Sequence, residues 1–194
     1  MECFRGSIMA GIGELVPLFL TIVLAIILII YFVSRKRKLD FKRVIVNILF
    51  GLSITGILFV TVFPGYYGIG VPRIANIVPF IGMYNIMFRS VDITVPIRNL
   101  GLNIILFVPF GFFLSLKKSS FQKNLMPSVI LTGFLFSLFI EVVQFSIPMG
   151  RSADIDDLIL NTFGTFLGFL VWKHLNSKFP GILSSKVTSN SHIY

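Results

Sequence analysis

The side chains best able to do chemistry fall in a fixed order along the second half of the chain: Asn103, Glu141, Gln144, Arg151, Asp154, Asp157 and Asn161, with Arg73 and Asn76 upstream. Glu141 lies inside an otherwise uncharged apolar run, where a carboxylate is costly and is a functional candidate by default. Gln144 follows three residues later and Ser137 precedes by four, so on a helix the three share a face. Asn99 and Asn103 repeat that spacing. Asp154, Asp157, Asn161, Gly164 and Gly168 fall on one stripe at helical periodicity, from which Asp156 points away. A desolvated carboxylate suits general acid or base work, or proton coupling. Glu141, Asp154 and Asp157 are therefore the catalytic candidates. Their oxygens also suit a hard divalent cation, but nothing in the spacing demands one. No metal and no other cofactor is expected. The guanidinium groups of Arg73 and Arg151 fit phosphate or carboxylate.

Each of these residues also has an architectural reading. Acids at Asp154–Asp157 cap the start of a helix and complement its dipole. Arg151 can neutralise Glu141 or Asp154 as a plain ion pair. Capping leaves Glu141 and Asn103 unexplained, and one ion pair does not require so many polar groups. Taken together they read as a ligand-contacting set.

The elements that must position this set are membrane spans. The chain has 194 residues, is 55% apolar and only 13% charged, and carries a net charge of +9; its mean hydropathy is +0.91. So apolar and so basic a chain has to keep its charges apart from its apolar runs, as a polytopic membrane protein does. The runs are Leu15–Ser34, Val44 to about Phe63, Asn99–Leu116, about Leu125–Ile147 and Leu158–Trp172. The last is short for a hydrocarbon core of about 30 Å, so its helix should begin upstream, within Asp154–Asp157. The expected fold is all-α, with about five transmembrane helices and a long outer loop, Pro64–Arg98. Within that loop the apolar stretch Ile81–Phe88 is expected to lie in the interface or re-enter the membrane. Residues 1–43 form a first helix and basic loop, 44–175 the main membrane domain, and 176–194 a loose tail.

Charge sets the orientation. Arg35-Lys36-Arg37-Lys38, Lys42, Arg43, Lys117, Lys118, Lys123, Lys173, Lys178 and Lys186 fall on one side, and with them every lysine of the chain. The positive-inside rule makes that side cytoplasmic, with the N-terminus outside and the C-terminus inside. The candidate set then lies at one depth, near the outer surface. Gly164 and Gly168 form a G-x-x-x-G that permits close helix approach, and Pro109 frees the carbonyl of Ile105. The phenylalanines read as packing and lipid-facing residues.

Several classes are excluded. Cys3 is the only cysteine, so no internal disulfide forms. The basic residues flank apolar runs instead of building an aromatic-interleaved patch, which argues against nucleic acid. There is no H-E-x-x-H, G-x-S-x-G or Walker loop. No internal repeat is evident, which disfavours a carrier coupled through Glu141.

The order of short motifs carries a resemblance. Asn76-Ile77-Val78-Pro79-Phe80 is followed by Asn103-x3-Phe107-x-Pro109-x-Gly111. Then come Glu141-x2-Gln144 and Arg151-x2-Asp154-x-Asp156-Asp157-x3-Asn161-x2-Gly164. Over about residues 44 to 172 this resembles the VanZ-like family. The resemblance implies a multi-pass protein of the bacterial plasma membrane linked to low-level resistance to teicoplanin and related lipoglycopeptides. It implies Asn103, Glu141, Gln144, Arg151, Asp154, Asp157 and Asn161 as the functional set, with Arg73 and Asn76 beside them. Expected partners are membrane lipids, a lipid-linked peptidoglycan precursor or the antibiotic's acyl tail, engaged in an outer-leaflet polar pocket. A membrane hydrolase or transferase using carboxylate acid/base chemistry on a lipid-linked substrate is the alternative.

Overall fold

The computed structural model describes residues 20–21, 23–25, 27–28, 31–32, 41–62, 75–90, 92–119, 124–146 and 153–179. Between 20 and 32 the described positions are helical. The remaining elements are α1 (Phe41–Val62), β1 (Ala75–Asn76), α2 (Ile81–Arg89), α3 (Thr94–Lys118), α4 (Leu125–Ser146), β2 (Ala153–Asp154) and α5 (Ile155–Lys178). Among the described residues, four helices are long and apolar enough to cross a membrane: α1, α3, α4 and α5. The first apolar run, Leu15–Ser34, lies largely outside the described residues.

The spans differ from the expected ones at their ends. Helix α3 begins at Thr94, not Asn99. Pro96 sits in its first turn, where a missing N–H leaves no intrahelical bond unmade. Asp92 accepts a hydrogen bond from the Thr94 N–H at 2.8 Å, and contacts with the Thr94 backbone and side chain hold its carboxyl below the usual range. Helix α5 begins at Ile155, as its short apolar run required, and its last turns continue through Asn176–Lys178, which the sequence reading had placed in the tail.

The tightest packing joins α3 to α5. A Cβ added to Gly164 would strike the carbonyl oxygen of Ile104, one on Gly168 that of Val108, and one on Gly111 the backbone of Thr165. The two backbones thus touch through glycines contributed by both helices, which is how helices associate where lipid removes the hydrophobic drive between them. Gly133 of α4 makes the third close approach, against the Thr165 side chain.

Around this contact the core is aromatic and aliphatic, with Ile57, Phe107, Phe110, Val129 and Ile140 all buried. Phe110 stacks on Phe136 at 5.0 Å and on Phe50 at 5.5 Å between ring centroids. Phe139, Phe145 and Phe163 face outward, so the phenylalanines divide between packing and lipid. Hydroxyls inside the spans bond back to their own helices. Thr55 donates to the Gly51 carbonyl, Ser115 to Gly111 and Thr162 to Leu158. No hydroxyl of these is left bare in hydrocarbon.

The glycine contact makes a direct prediction. Gly168→Val should destabilise the protein by about 1–3 kcal/mol or abolish folding, because the new side chain meets backbone that cannot swing aside. Gly56→Ala, where nothing lies within 4 Å of the added carbon, should leave stability unchanged or slightly raised. Thermal unfolding in detergent micelles compares the two.

Candidate functional site

The site is assembled at the N-terminal end of α5. Asp154 is its N-cap, with an extended backbone and a side chain that accepts from the Asp156 N–H. That bond measures 2.9 Å, and the same oxygen accepts from Asn76 Nδ2 at 3.0 Å. The Asp154 N–H donates to Glu141 Oε2 at 2.9 Å. Asn76 and Asp154 are also register partners in the two-residue parallel pair of β1 and β2. A cap, a ladder and a carboxylate from α4 therefore meet at one residue.

The next carboxylate turns towards α2. Asp156 is buried. Its Oδ1 accepts from the Phe80 N–H at 2.6 Å and its Oδ2 from the Met83 N–H at 2.8 Å. These donors open α2, so Asp156 caps a helix it does not belong to. Gly82 lies over the cluster. A Cβ there would sit 2.8 Å from Asp156 Oδ2, 3.1 Å from Asn76 Nδ2 and 3.3 Å from Asp154 Oδ2. Only glycine lets α2 lie this close.

Between the long helices the polar groups pair as well. Asn103 of α3 donates to Asp157 of α5. Asn161 Nδ2 donates to the Ser137 hydroxyl of α4 at 2.9 Å, and its Oδ1 is buried without a hydrogen-bond donor. Gln144 Nε2 donates to the Thr61 carbonyl of α1 at 3.0 Å. The structure thus brings Asn76, Asn103, Glu141, Asp154, Asp157 and Asn161 together around α5, while Gln144 joins α4 to α1. Arg73 and Arg151 lie outside the described residues.

Two features escaped the sequence reading. Asp156 was set aside because it leaves the helical stripe, and its partners are backbone N–H groups, which carry no residue-type signal. The β1–β2 pair is too short for any alternation of apolar residues to announce it. The run Ile81–Phe88, expected to lie in the interface or re-enter the membrane, is a helix: α2 buries none of its residues, and Ile81, Tyr84, Met87 and Phe88 are exposed, as is Phe80 just before it.

Chemically the cluster offers carboxylate oxygens and amides in a setting that helix α5's dipole makes favourable for negative charge. Glu141, Asp154 and Asp157, the acid/base candidates, lie within this one cluster. Among the described residues no three histidine, cysteine or acidic side chains converge as a metal ion requires.

An α-helical membrane bundle with glycine-mediated packing, a carboxylate–amide cluster at one end and a short apolar helix clasped over it defines the class of this protein. The VanZ/LLP1 family model matches residues 18–176, and the chain belongs to that family. The match takes in part of the first apolar run as well as the segment on which the resemblance rested. Protein VanZ of Enterococcus faecium is 35% identical over 80 residues, covering 39% of this chain and 47% of that protein. The alignment thus spans about half the length of the relative. No solved structure matches the chain.

Asp156 yields the prediction here. Asp156→Ala should release α2 while leaving α3–α5 folded. Two charge-assisted bonds are lost, each worth about 1.5–3 kcal/mol. Amide hydrogen exchange at residues 80–89 should then rise by at least tenfold, with exchange in α5 below its first turn unchanged.

Proposed function

We propose that the chain is a plasma-membrane protein of the bacterial envelope that confers low-level resistance to teicoplanin and related lipoglycopeptides. Its outer end engages a lipid, a lipid-linked cell-wall precursor or the antibiotic's acyl tail. The N-terminus lies outside and the C-terminus in the cytoplasm, as the lysine distribution requires. One observation carries the reading: an exposed aromatic and aliphatic helix, α2, is clasped by Asp156 directly above the carboxylate–amide cluster. An amphiphile arriving from that side meets apolar side chains for its tail and polar groups for its head within one short element.

Ligand contact is assigned to Asn76, Asn103, Glu141, Asp154, Asp157 and Asn161, with Gln144 and the two arginines, Arg73 and Arg151, completing the set. A membrane hydrolase or transferase using Glu141 or Asp154 as acid/base is the second reading, supported by the grouping of four carboxylates at the start of α5.

Expression in a teicoplanin-susceptible Gram-positive host tests both readings. Wild-type protein should raise the teicoplanin inhibitory concentration several-fold. Glu141→Ala and Asp154→Ala should cancel the rise at equal membrane abundance, and a rise that survives both sinks the site. Mass spectrometry of purified protein incubated with teicoplanin and cell-wall lipids separates the readings: turnover lost in Glu141→Gln makes it an enzyme, and binding without products makes it a pocket.

A further inference from the structure

The end of the bundle opposite the carboxylates carries a second feature that the proposed function does not use. Two open clefts meet there. One, of about 430 Å³, is lined by Ser119, Asn124, Trp172 and Lys173 together with Met126 and Pro127. The other, of about 440 Å³, shares Met126 and Pro127 and is otherwise lined by Ile130, Leu131, Phe134 and Thr162. The first has a mixed polar and apolar lining, and the second is almost wholly apolar. Along α5, Thr162, Phe169 and Lys173 recur on one helical face, so the clefts follow one side of the α4–α5 seam, from the helix ends towards mid-membrane.

Among the described residues, charge at this end is one-signed. Lys117, Lys118, Lys173 and Lys178 all lie here, while the described acids, Asp92, Glu141, Asp154, Asp156 and Asp157, all lie at the other end. The first two lysines are engaged by the protein. Lys117 stands 4.6 Å from the centre of the Phe50 ring. Lys118 donates to the Ser128 hydroxyl and the Thr132 hydroxyl, each at 2.7 Å. Lys173 is exposed and, among the described residues, has no hydrogen-bond or ion-pair partner. A free ammonium beside a serine and an amide, at the head of an apolar furrow open to the bilayer, fits an anionic head joined to an alkyl chain.

We infer that this furrow is a binding site for one anionic phospholipid of the leaflet at the lysine-bearing end. Its phosphate is held by Lys173 with Ser119 and Asn124, and one acyl chain lies along Met126, Ile130 and Phe134. On the orientation proposed above this is the cytoplasmic leaflet, but the site is defined by the end of the bundle and stands whichever way the chain inserts. It is separate from the carboxylate cluster, so either site can fail without the other.

Native mass spectrometry tests the site. Full-length protein is purified in mild detergent and offered phosphatidylglycerol and phosphatidylcholine of equal chain length. Wild type should retain a single phosphatidylglycerol in roughly fivefold preference, the order expected of one lysine's attraction at a membrane surface. Lys173→Glu should remove that preference and Lys173→Gln should weaken it; both change an exposed side chain. Met126→Trp fills the junction of the two clefts without altering charge and should reduce retention of both lipids. Arg89→Glu, a matched charge reversal at the other end, should change neither. Equal retention of the two lipids by wild type, or unchanged preference in Lys173→Glu, overturns the headgroup assignment. Undiminished retention in Met126→Trp overturns the cleft.

Discussion

Helices α3 and α5 touch backbone to backbone, and most of the carboxylate-bearing end follows from that contact. Where Gly164 meets the Ile104 carbonyl and Gly168 the Val108 carbonyl, the helix axes have no room to drift or slide. Two turns above Gly164, Asp157 therefore meets Asn103, and one turn above it Asn161 is carried inward to Ser137 on α4. Had these helices been separated by larger side chains, the same amides and carboxylates would face lipid. There an unmatched polar group costs several kcal/mol. Small residues and polar residues are thus two parts of one arrangement, the first allowing the approach that the second requires.

The polar groups divide their work by partner. Some tie helix to helix: Gln144 holds α1, Asn103 holds α3 and Asn161 holds α4. Others tie loops instead. Glu141 and Asp154 hold the segment entering α5, Asn76 joins it from the preceding loop, and Asp156 holds α2. Stiffness imposed by the bundle is thus passed to α2, an apolar helix with no buried residue. At the far end the lysines do comparable work, with Lys118 reaching from the last turn of α3 to the first turns of α4.

Much of this was legible in the sequence. Apolar runs gave the spans, and the stripe Asp154, Asp157, Asn161, Gly164, Gly168 marked the face of α5 that turns inward. The G-x-x-x-G spacing announced the close approach. What stayed hidden has a common cause. Periodicity reports which side chains share a face, not which backbone groups they reach. Asp156 bonds to two N–H groups more than seventy positions upstream, and Gln144 to a carbonyl on α1. No residue type records either partner. The start of α3 was obscured for a different reason: Pro96 looks like a loop residue, yet a first turn accepts it.

Phe80 adopts a left-handed backbone, with φ of 68° and ψ of −10°. Glycine would take that conformation freely, whereas a bulky residue resists it by about 1–2 kcal/mol. A redesign guided by stability alone would therefore choose glycine at this position and strip α2 of its leading ring. The most stable sequence for this fold and the sequence that keeps an aromatic group at the rim of the carboxylate end are different sequences, and the chain carries the second.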